Sequence, residues 1–324
     1  MRAVICKQFG PVDSVVVEEF DLPPPQPGHV RVRVEAAGVN FPDTLMVQGK
    51  YQVKPELPFV PGAELAGIVE TVGQDVADFT PGMKVVGMVG QGAFADVANV
   101  RSSRLMQRPG GMDAVTAAGF SMTYGTSMHA LVQRAKLQPG ETLLVLGASG
   151  GVGLAAVELG KAMGATVIAA ASSDEKLAVA KDAGADHLIN YATGSLKDAV
   201  KELTGGKGVD VVYDPVGGDL LEEAVRATAW EGRVLIVGFA SGTIPRVPAN
   251  LMLLKGSSLV GVFYGTFRDR DPAANRANFS KMFEWFEEGK LKPLISQTME
   301  LEKVVDAFNI LTGRSAIGKI VLTT

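Results

Sequence analysis

The feature that most constrains the fold is a glycine-rich turn, residues 143–153 (LLVLGASGGVG), between an apolar run and a helical run. The apolar start predicts a buried strand, residues 154–159 (LAAVEL) predict a helix, and residues 166–171 (TVIAAA) predict a second strand. Glycines in such a turn let the backbone approach a pyrophosphate, and the N-terminus of the following helix attracts an anion. The segment therefore predicts the first unit of a dinucleotide-binding domain.

The turn departs from the usual G-x-G-x-x-G pattern at its first position. The three pattern positions are Ala148, Gly150 and Gly153, with further glycines at 147 and 151. A methyl group at the first position fits only if Ala148 keeps a negative φ. The alternative is a tight turn that binds nothing, but the flanking strand and helix favour a ligand-binding turn.

Three regions of the chain differ in their hydrophobic pattern. Residues 1–122 carry short alternating segments between Pro and Gly turns, typical of a small antiparallel β domain, with strands predicted at 29–35, 64–72, 83–88 and 93–98. Residues 123–266 alternate strand and helix patterns, which predicts a parallel sheet with strands at 142–147, 166–171, 187–190, 209–213, 233–238 and 258–264. Residues 267–324 predict two helices and a last strand, at 272–288, 301–311 and 318–322. The predicted fold class is therefore α/β, a doubly wound parallel sheet with a second, β-rich domain.

Composition excludes several classes of protein. The net charge is −4, from 35 acidic and 31 basic residues, which gives no basic face for nucleic acid. Cys6 is the single cysteine, so the chain has no internal disulfide and suits a reducing compartment. The sequence has no signal-peptide core and no apolar run long enough to cross a bilayer, so we expect a cytoplasmic protein that does not bind membranes.

The end of the second predicted strand bears on the choice of cofactor. An NAD site places Asp or Glu there to bond the ribose hydroxyls. This strand ends instead in Ala171, followed by Ser172 and Ser173, with Lys176 close behind and Tyr191 after the third strand. These side chains favour a 2′-phosphate and therefore NADPH over NADH. The alternative for Lys176 is a solvated position on a helix.

Five segments together resemble the zinc-free quinone oxidoreductase (zeta-crystallin-like) branch of the medium-chain dehydrogenase/reductase superfamily. They are residues 38–43 (GVNFPD), 61–67 (PGAELAG), 124–126 (YGT), 148–153 (ASGGVG) and 217–218 (GG). The resemblance covers nearly the whole chain. It implies a GroES-like catalytic domain at 1–122, a Rossmann NADPH-binding domain at 123–266, and a segment at 267–324 that returns to the catalytic domain. It also implies a homodimer or tetramer joined through the edge of the Rossmann sheet, for which residues 258–263 are the apolar candidate.

The same superfamily includes zinc alcohol dehydrogenases, in which a cysteine occupies the position of Asn40 and a histidine that of Ala63. Both ligands are missing here. A catalytic zinc needs three protein ligands and a structural zinc needs four. The remaining candidates lie in unrelated segments: Cys6, His29, His129 and His187. We therefore expect no metal site.

Loss of the metal restricts the acceptor. An unactivated ketone needs a Lewis acid to stabilise the alkoxide. A quinone or an α,β-unsaturated carbonyl delocalises the charge itself, so hydrogen-bond donors and correct positioning suffice. The predicted activity is reduction of quinones or similar conjugated carbonyls with NADPH. The alternatives are an enone or enoyl-thioester reductase, and a non-catalytic NADPH-binding protein like the lens crystallin of this family.

The resemblance also implies the site residues. Asn40, Tyr51 and Thr126 are the catalytic candidates, which would face the nicotinamide and the substrate. Their structural alternatives are a turn former, a loop anchor and a helix N-cap, respectively. Phe239 and Ala240 would offer backbone groups to the carboxamide, and Arg314 would close over the cofactor. The full set of cofactor candidates is Asn40, Tyr124, Thr126, Ser149, Gly150, Gly151, Val152, Gly153, Ser172, Ser173, Lys176, Tyr191, Phe239, Ala240, Phe263 and Arg314. Asp43 and Glu64 are interpreted as structural, and no residue is predicted to be a general acid.

Overall fold

A computed structural model describes all 324 residues and resolves them into two compact units. The first unit comprises Met1–Met122 and Pro293–Thr324, and the second comprises Thr123–Lys292. None of the helices has the length and apolar character needed to cross a membrane.

The chain forms fifteen strands and eleven α-helices. The strands are β1 Arg2–Ile5, β2 Val16–Glu19, β3 His29–Val39, β4 Glu64–Val72, β5 Lys84–Met88, β6 Val97–Arg101, β7 Leu105–Gln107, β8 Thr142–Leu146, β9 Thr166–Ala171, β10 His187–Asn190, β11 Val209–Asp214, β12 Thr228–Ile236, β13 Ser258–Gly261, β14 Ile295–Glu300 and β15 Lys319–Thr323. The helices are α1 Phe41–Val47, α2 Ala114–Ala118, α3 Ser121–His129, α4 Gly151–Ala162, α5 Asp174–Asp182, α6 Leu196–Leu203, α7 Asp219–Ala227, α8 Ala249–Lys255, α9 Tyr264–Arg270, α10 Pro272–Glu287 and α11 Val304–Thr312. A single π-helical turn, Ala130–Arg134, continues α3.

The first unit is built on a seven-stranded sheet in the order β14-β15-β3-β4-β5-β7, with β6 also paired to β3. All pairings are antiparallel except β14 with β15. Strand β3 buries Val30, Val32 and Val34, as the period of two in its sequence predicts. The strand predicted at 93–98 is wrong: β6 begins only at Val97, and Ala95 instead forms an isolated bridge to β1.

The C-terminal segment completes the core of the first unit. Strand β15 pairs with β3, so that Ile320 lies opposite Val39. Leu301, Phe308 and Ile320 belong to the same buried cluster as the valines of β3. Residues from the two ends of the chain therefore share one hydrophobic core.

The second unit is built on a six-stranded parallel sheet in the order β10-β9-β8-β11-β12-β13. The chain starts at the centre with β8, winds outward to β10, and then returns to wind outward on the other side from β11 to β13. This is the doubly wound Rossmann order, and its switch point lies between β8 and β11. The predicted α/β class is confirmed. The β12 strand starts earlier than predicted, at Thr228, and β13 ends earlier, at Gly261.

The structure places the return to the first unit at Pro293 rather than at the predicted residue 267. The reason is the packing of α9 and α10 within the second unit. The ring of Phe267 stacks on His129 with centroids 3.9 Å apart. The amides of Gln133 and Asn278 exchange two hydrogen bonds of 3.0 and 3.1 Å.

Candidate active site

The glycine turn after β8 accommodates its unusual alanine. The left-handed conformation falls on Gly147, at φ +57°, and not on Ala148, which is absent from the non-glycine residues with positive φ. The condition that the sequence places on Ala148 is therefore met, because the sharp turn is made one residue earlier.

The remaining glycines of the turn bring α4 close to β8. A Cβ added at Gly153 would overlap the carbonyl oxygen of Gly147 and lie 2.9 Å from the Cα of Ala148. At Gly150 the nearest atom to an added Cβ is 3.5 Å away, so that side of the turn is open. Gly150 is also the N-cap of α4 and supplies no side-chain cap to the first-turn N–H groups. An open turn that leads into such a helix N-terminus suits a pyrophosphate.

Hydroxyl groups and a lysine gather where β9 and β10 end. Ser173 is the N-cap of α5, and its Oγ accepts a 3.4 Å hydrogen bond from the backbone of Lys176. The side chains of Ser172 and Tyr191 are hydrogen-bonded to each other, and burial raises the pKa of the Tyr191 phenol. The nearby Asp174 carboxylate accepts a 2.7 Å hydrogen bond from Asn190. The structure thus brings the four predicted phosphate-site residues to one end of the sheet.

Helix α3 carries Tyr124 and Thr126 in different environments. Thr126 is half-buried in the sixth position of the helix, so its alternative role as an N-cap is wrong. The Tyr124 hydroxyl donates a 2.7 Å hydrogen bond to Glu158, and burial followed by the Glu158 charge raises the Tyr124 pKa well above its usual value. Glu158 also accepts from the backbone of Lys292 at 2.9 Å. The Tyr124 hydroxyl therefore donates its hydrogen within the protein, to Glu158.

Ser127 is a buried residue that no sequence pattern marks. Its hydroxyl lies 3.0 Å from the carbonyl oxygen of Val152, to which it donates, and 2.8 Å from the Tyr213 hydroxyl. The serine is fully buried and joins α3 to the first turn of α4. A lone serine within a helix carries no pattern that distinguishes it from any other.

The loop after β11 is shaped by a buried carboxylate. Asp214 accepts hydrogen bonds from the backbone of Val216 at 2.7 Å and of Gly217 at 2.9 Å. The N–H of Ala240, in the loop after β12, donates to the carbonyl oxygen of Pro215 at 3.0 Å. Of the two backbone groups that Ala240 could offer to a carboxamide, the N–H is thus already used, and the carbonyl is the one that remains.

Three further cofactor candidates have less defined surroundings. Phe239 is half-buried beside Gly217, where an added Cβ would lie 2.8 Å from its ring. Phe263 is half-exposed as the N-cap residue of α9. Arg314 is exposed just beyond α11 of the first unit, with φ +57°.

In the first unit, Asn40 lies between β3 and α1 and is only 6% exposed. Its Nδ2 donates to Glu64 at 2.9 Å and to the carbonyl oxygen of Gly38 at 3.2 Å. Its Oδ1 accepts a 2.6 Å hydrogen bond from Lys319. The opposite amide orientation would set an NH₂ group against an ammonium, so the partners fix the side chain. Asn40 was expected to donate to a ligand, but both of its hydrogens are taken, and it can act here only as an acceptor.

Glu64 and Lys319 form a buried ion pair, with 2.8 Å between the Lys319 Nζ and the Glu64 Oε1. Lys319 also donates to the carbonyl oxygen of Val39 at 2.7 Å. The second oxygen of Glu64 accepts a 2.7 Å hydrogen bond from the backbone of Met122, in the first turn of α3. Sequence reasoning missed Lys319, because a single lysine in a C-terminal strand resembles any surface lysine.

Asp43 is the most perturbed acid of this cluster. Its Oδ2 accepts a 2.8 Å hydrogen bond from the backbone of Asn40, whereas its Oδ1 is buried without a partner. Burial raises the pKa of Asp43 to about 7, and the Glu64 charge adds to that effect while Lys319 opposes it. Tyr51 packs against the core of the first unit, and its pKa is raised by burial and by the Asp43 charge.

The side chains of the chain do not fit a zinc ion. No three His, Cys, Asp or Glu side chains are grouped so that they could hold a metal. At Asn40, the ammonium of Lys319 already lies against the amide oxygen, so a second cation there would be repelled.

The Rossmann sheet with its glycine turn, and the β-rich unit that shares residues from both ends of the chain, define a medium-chain dehydrogenase/reductase. The family models agree: "alcohol dehydrogenase GroES-like domain" matches residues 26–110, and "zinc-binding dehydrogenase" matches residues 151–288. Within that superfamily, the chain belongs to the quinone oxidoreductase-like proteins.

Three relatives illustrate the relationship. Quinone oxidoreductase-like protein 2 of Bos taurus is 42% identical over 99% of this chain and 92% of its own. A 2-haloacrylate reductase of Burkholderia sp is 36% identical over 99% of this chain and 98% of its own. The quinone oxidoreductase of Escherichia coli, solved in complex with NADPH, superimposes with a TM-score of 0.92 at 29% identity, covering 100% of both chains.

Proposed function

We propose that the protein is an NADPH-dependent, metal-independent reductase of quinones and similar conjugated carbonyl compounds. The observation that carries this proposal is the group at the ends of β9 and β10, where Ser172, Lys176 and Tyr191 lie beside a strand that ends in alanine. A carboxylate at the end of this strand would repel a 2′-phosphate. Hydroxyl groups and a lysine at that position are instead suited to binding the 2′-phosphate. The NADPH complex of the Escherichia coli quinone oxidoreductase supports the same cofactor.

The second unit would bind two anionic groups of NADPH, the pyrophosphate and the 2′-phosphate. We assign the pyrophosphate to the turn and the first turn of α4, formed by Ser149, Gly150, Gly151, Val152 and Gly153. We assign the 2′-phosphate to Ser172, Ser173, Lys176 and Tyr191. When bound, NADPH supplies the hydride for the reduction.

The acceptor would be positioned by hydroxyl groups. Tyr51 and Thr126 are both half-buried, and we propose that Tyr51 donates to the acceptor oxygen while Thr126 contacts the nicotinamide end of the cofactor. Asn40 would accept a hydrogen bond through Oδ1, because its donor hydrogens serve Glu64 and Gly38. A conjugated acceptor suits these neutral groups, since it spreads the charge that arrives with the hydride.

Activated alkenes are the second candidate class of acceptor. The similarity to a 2-haloacrylate reductase, 36% identical over 99% of this chain, favours them. Hydride addition to such an alkene also relies on conjugation with a carbonyl, so the same residues would serve.

The test is NADPH oxidation against ortho-quinones, para-quinones, alkenals, enoyl thioesters and 2-chloroacrylate, with NADH as the control. For wild type we expect turnover of a quinone and a preference for NADPH. In Lys176→Ala, kcat/KM for NADPH should fall about 10- to 150-fold, since a hydrogen bond to a charged group contributes about 1.5–3 kcal/mol, while kcat/KM for NADH stays nearly constant. Lys181→Ala, at the other end of α5, is the matched control.

Two results would contradict the proposal. Binding of NADPH without turnover of any acceptor would favour the non-catalytic alternative. Equal use of NADH and NADPH by wild type would remove the role assigned to Lys176.

We also propose a homodimer joined through β13, with a tetramer as the alternative. This strand is the edge of the Rossmann sheet, and its Leu259 is 42% exposed. Helix α8, which precedes β13 in the chain and packs against β12, buries none of its residues and leaves Leu253 80% exposed. An open strand edge beside exposed leucines favours pairing with a second copy. Sedimentation equilibrium should give the dimer mass at micromolar concentration.

A cytoplasmic location and the absence of nucleic-acid partners stay predictions. The first is supported by the single cysteine, Cys6, which is buried and unpaired. The second is supported by the net charge of −4. Fractionation of cells and a filter-binding assay with RNA would test them.

A further inference from the structure

We propose that Lys319 is a positioning residue of the reductase: its buried ammonium fixes Asn40 and Glu64 in the catalytic region of the first unit. This role rests on the proposed function, because its effect is measured on the reduction. No pattern in the sequence marks this lysine, which lies at the start of β15, 279 residues after Asn40.

The ammonium is fully occupied within the protein. Its three hydrogens match three oxygens: Val39 O at 2.7 Å, Asn40 Oδ1 at 2.6 Å and Glu64 Oε1 at 2.8 Å. A lysine has three donor hydrogens and no acceptor, so none remains for a ligand. Lys319 therefore acts through the groups that it holds.

The three oxygens come from different elements, and the lysine ties these elements together. Val39 ends β3, Asn40 precedes α1, and Glu64 begins β4. The other oxygen of Glu64 receives the Met122 amide, at 2.7 Å. One cation thus orders the end of β3, the start of α1 and, through Glu64, the first turn of α3.

The positioning role requires the positive charge of Lys319 as well as the shape of its side chain. The Glu64 side chain is fully buried, and Asp43 adds a second buried carboxyl group to the same cluster. A buried carboxylate that loses its partner is strongly destabilised. Without the ammonium, the Asn40 Oδ1 loses the donor Lys319 and Glu64 loses its ion pair, so Asn40 is held only through the two hydrogen bonds of its Nδ2.

The test is Lys319→Ala, followed by rescue with n-propylammonium. Alanine keeps Cβ, and n-propylammonium supplies the three missing methylenes and the ammonium. We expect kcat with NADPH and a quinone to fall about 100-fold, the loss that a misplaced catalytic group typically causes. The affinity for NADPH should stay within about twofold, because the residues assigned to the cofactor's phosphates lie in the second unit. Added n-propylammonium should restore much of kcat, whereas 1-propanol, of the same length without the charge, should not.

Lys303→Ala is the matched control. Lys303 belongs to the same C-terminal segment, but its side chain is 63% exposed and paired only with Asp306. This variant should keep the wild-type kcat, with or without the amine. Circular dichroism and NADPH titration of each variant show whether it is folded. If Lys319→Ala does not fold, Lys319→Met combined with Glu64→Gln removes both buried charges together and takes its place, with an expected loss of kcat.

The outcomes separate the two proposals. An unchanged kcat in Lys319→Ala, or equal rescue by n-propylammonium and 1-propanol, would overturn the positioning role while leaving the reductase intact. A wild-type protein that binds NADPH but reduces no acceptor would overturn the proposed function, and the role of Lys319 in it.

Discussion

At the scale of single residues, the cluster around Asn40 sets two buried carboxyl groups against one ammonium. Lys319 contacts Glu64 directly at 2.8 Å, whereas no hydrogen bond reaches the Oδ1 of Asp43. The ammonium of Lys319 therefore stabilises the charge of Glu64 directly. Asp43 keeps its proton to a higher pH than an exposed acid does, because burial raises its pKa to about 7. The folded state binds a proton at Asp43 that the unfolded state releases above its ordinary pKa near 4.

This difference predicts a pH-dependent stability. A raised pKa in the folded state means that stability falls as the pH rises from about 4 through 7 and then levels off. Asp43→Asn removes that ionisation and keeps a side-chain oxygen that can accept the hydrogen bond from the backbone N–H of Asn40. Relative to wild type, the variant should gain free energy of unfolding from pH 5 to pH 8. The gain is at most about 3 kcal/mol, from the two pH units in which wild-type Asp43 is ionised in the unfolded state and protonated in the folded state. Urea unfolding of both proteins at pH 5 and at pH 8 measures this change in the free energy of unfolding.

Asp306→Asn is the control for that prediction. Asp306 lies on α11 of the same unit, with a side chain 60% exposed. Its difference from wild type should be the same at both pH values. A gain in Asp43→Asn that does not depend on pH would mean that Asp43 is ionised throughout.

At the scale of elements, the sequence is a good guide to the second unit and a poorer one to the cluster of the first. Strands β8, β9 and β10 follow from short apolar runs, and the turn before α4 follows from its glycines. The predicted phosphate-site residues gather at one end of the sheet because parallel strands end on the same side. The hydrogen-bonding state of Asn40 could not be predicted, because its partner Lys319 lies 279 residues away and no local pattern links them. The sequence leaves the alternative role of Thr126 as an N-cap open, because the start of α3, at Ser121, carries no clear cap signal.

The close approach of α4 to β8 gives a prediction for the turn. In Gly153→Ala the added methyl would overlap the carbonyl oxygen of Gly147, which is backbone and cannot rotate away. We expect a loss of about 1–3 kcal/mol in the free energy of unfolding and at least a tenfold weaker NADPH affinity, because the helix start must move. Fluorescence titration with NADPH measures the second effect.

Gly194→Ala is the control, because an added Cβ at Gly194 meets nothing within 4 Å and its φ is not positive. It should bind NADPH as wild type does. Unaltered NADPH binding in Gly153→Ala would show that α4 need not approach β8 so closely.

At the scale of the whole molecule, the two edges of the Rossmann sheet differ. Near the β13 edge, α8 precedes β13 in the chain and packs against the neighbouring β12, with no buried residue and strongly exposed leucines. The opposite edge is β10, where Leu188 is exposed to a similar degree as Leu259 of β13 but no comparable helix is present. This asymmetry makes β13 the better candidate for pairing between copies.

The pairing predicts unequal effects of one substitution at the two edges. In the proposed dimer, Leu259→Lys should bring a positive charge from each copy into the contact and shift the protein toward monomer. Leu188→Lys at the β10 edge should leave the mass unchanged. Sedimentation equilibrium of both variants compares them, and dissociation by Leu188→Lys alone would move the interface to the other edge.

The position of β15 has a consequence for the synthesis of the chain. This strand lies between β14 and β3, inside the sheet, yet it comprises residues 319–323 of 324. Its pairing with β3 cannot form until residues 319–323 have been synthesised, long after β3, and Lys319 arrives with the same strand. A truncation just before Lys319 would therefore delete an interior strand and the ammonium of Lys319, although residues 1–318 would all be present.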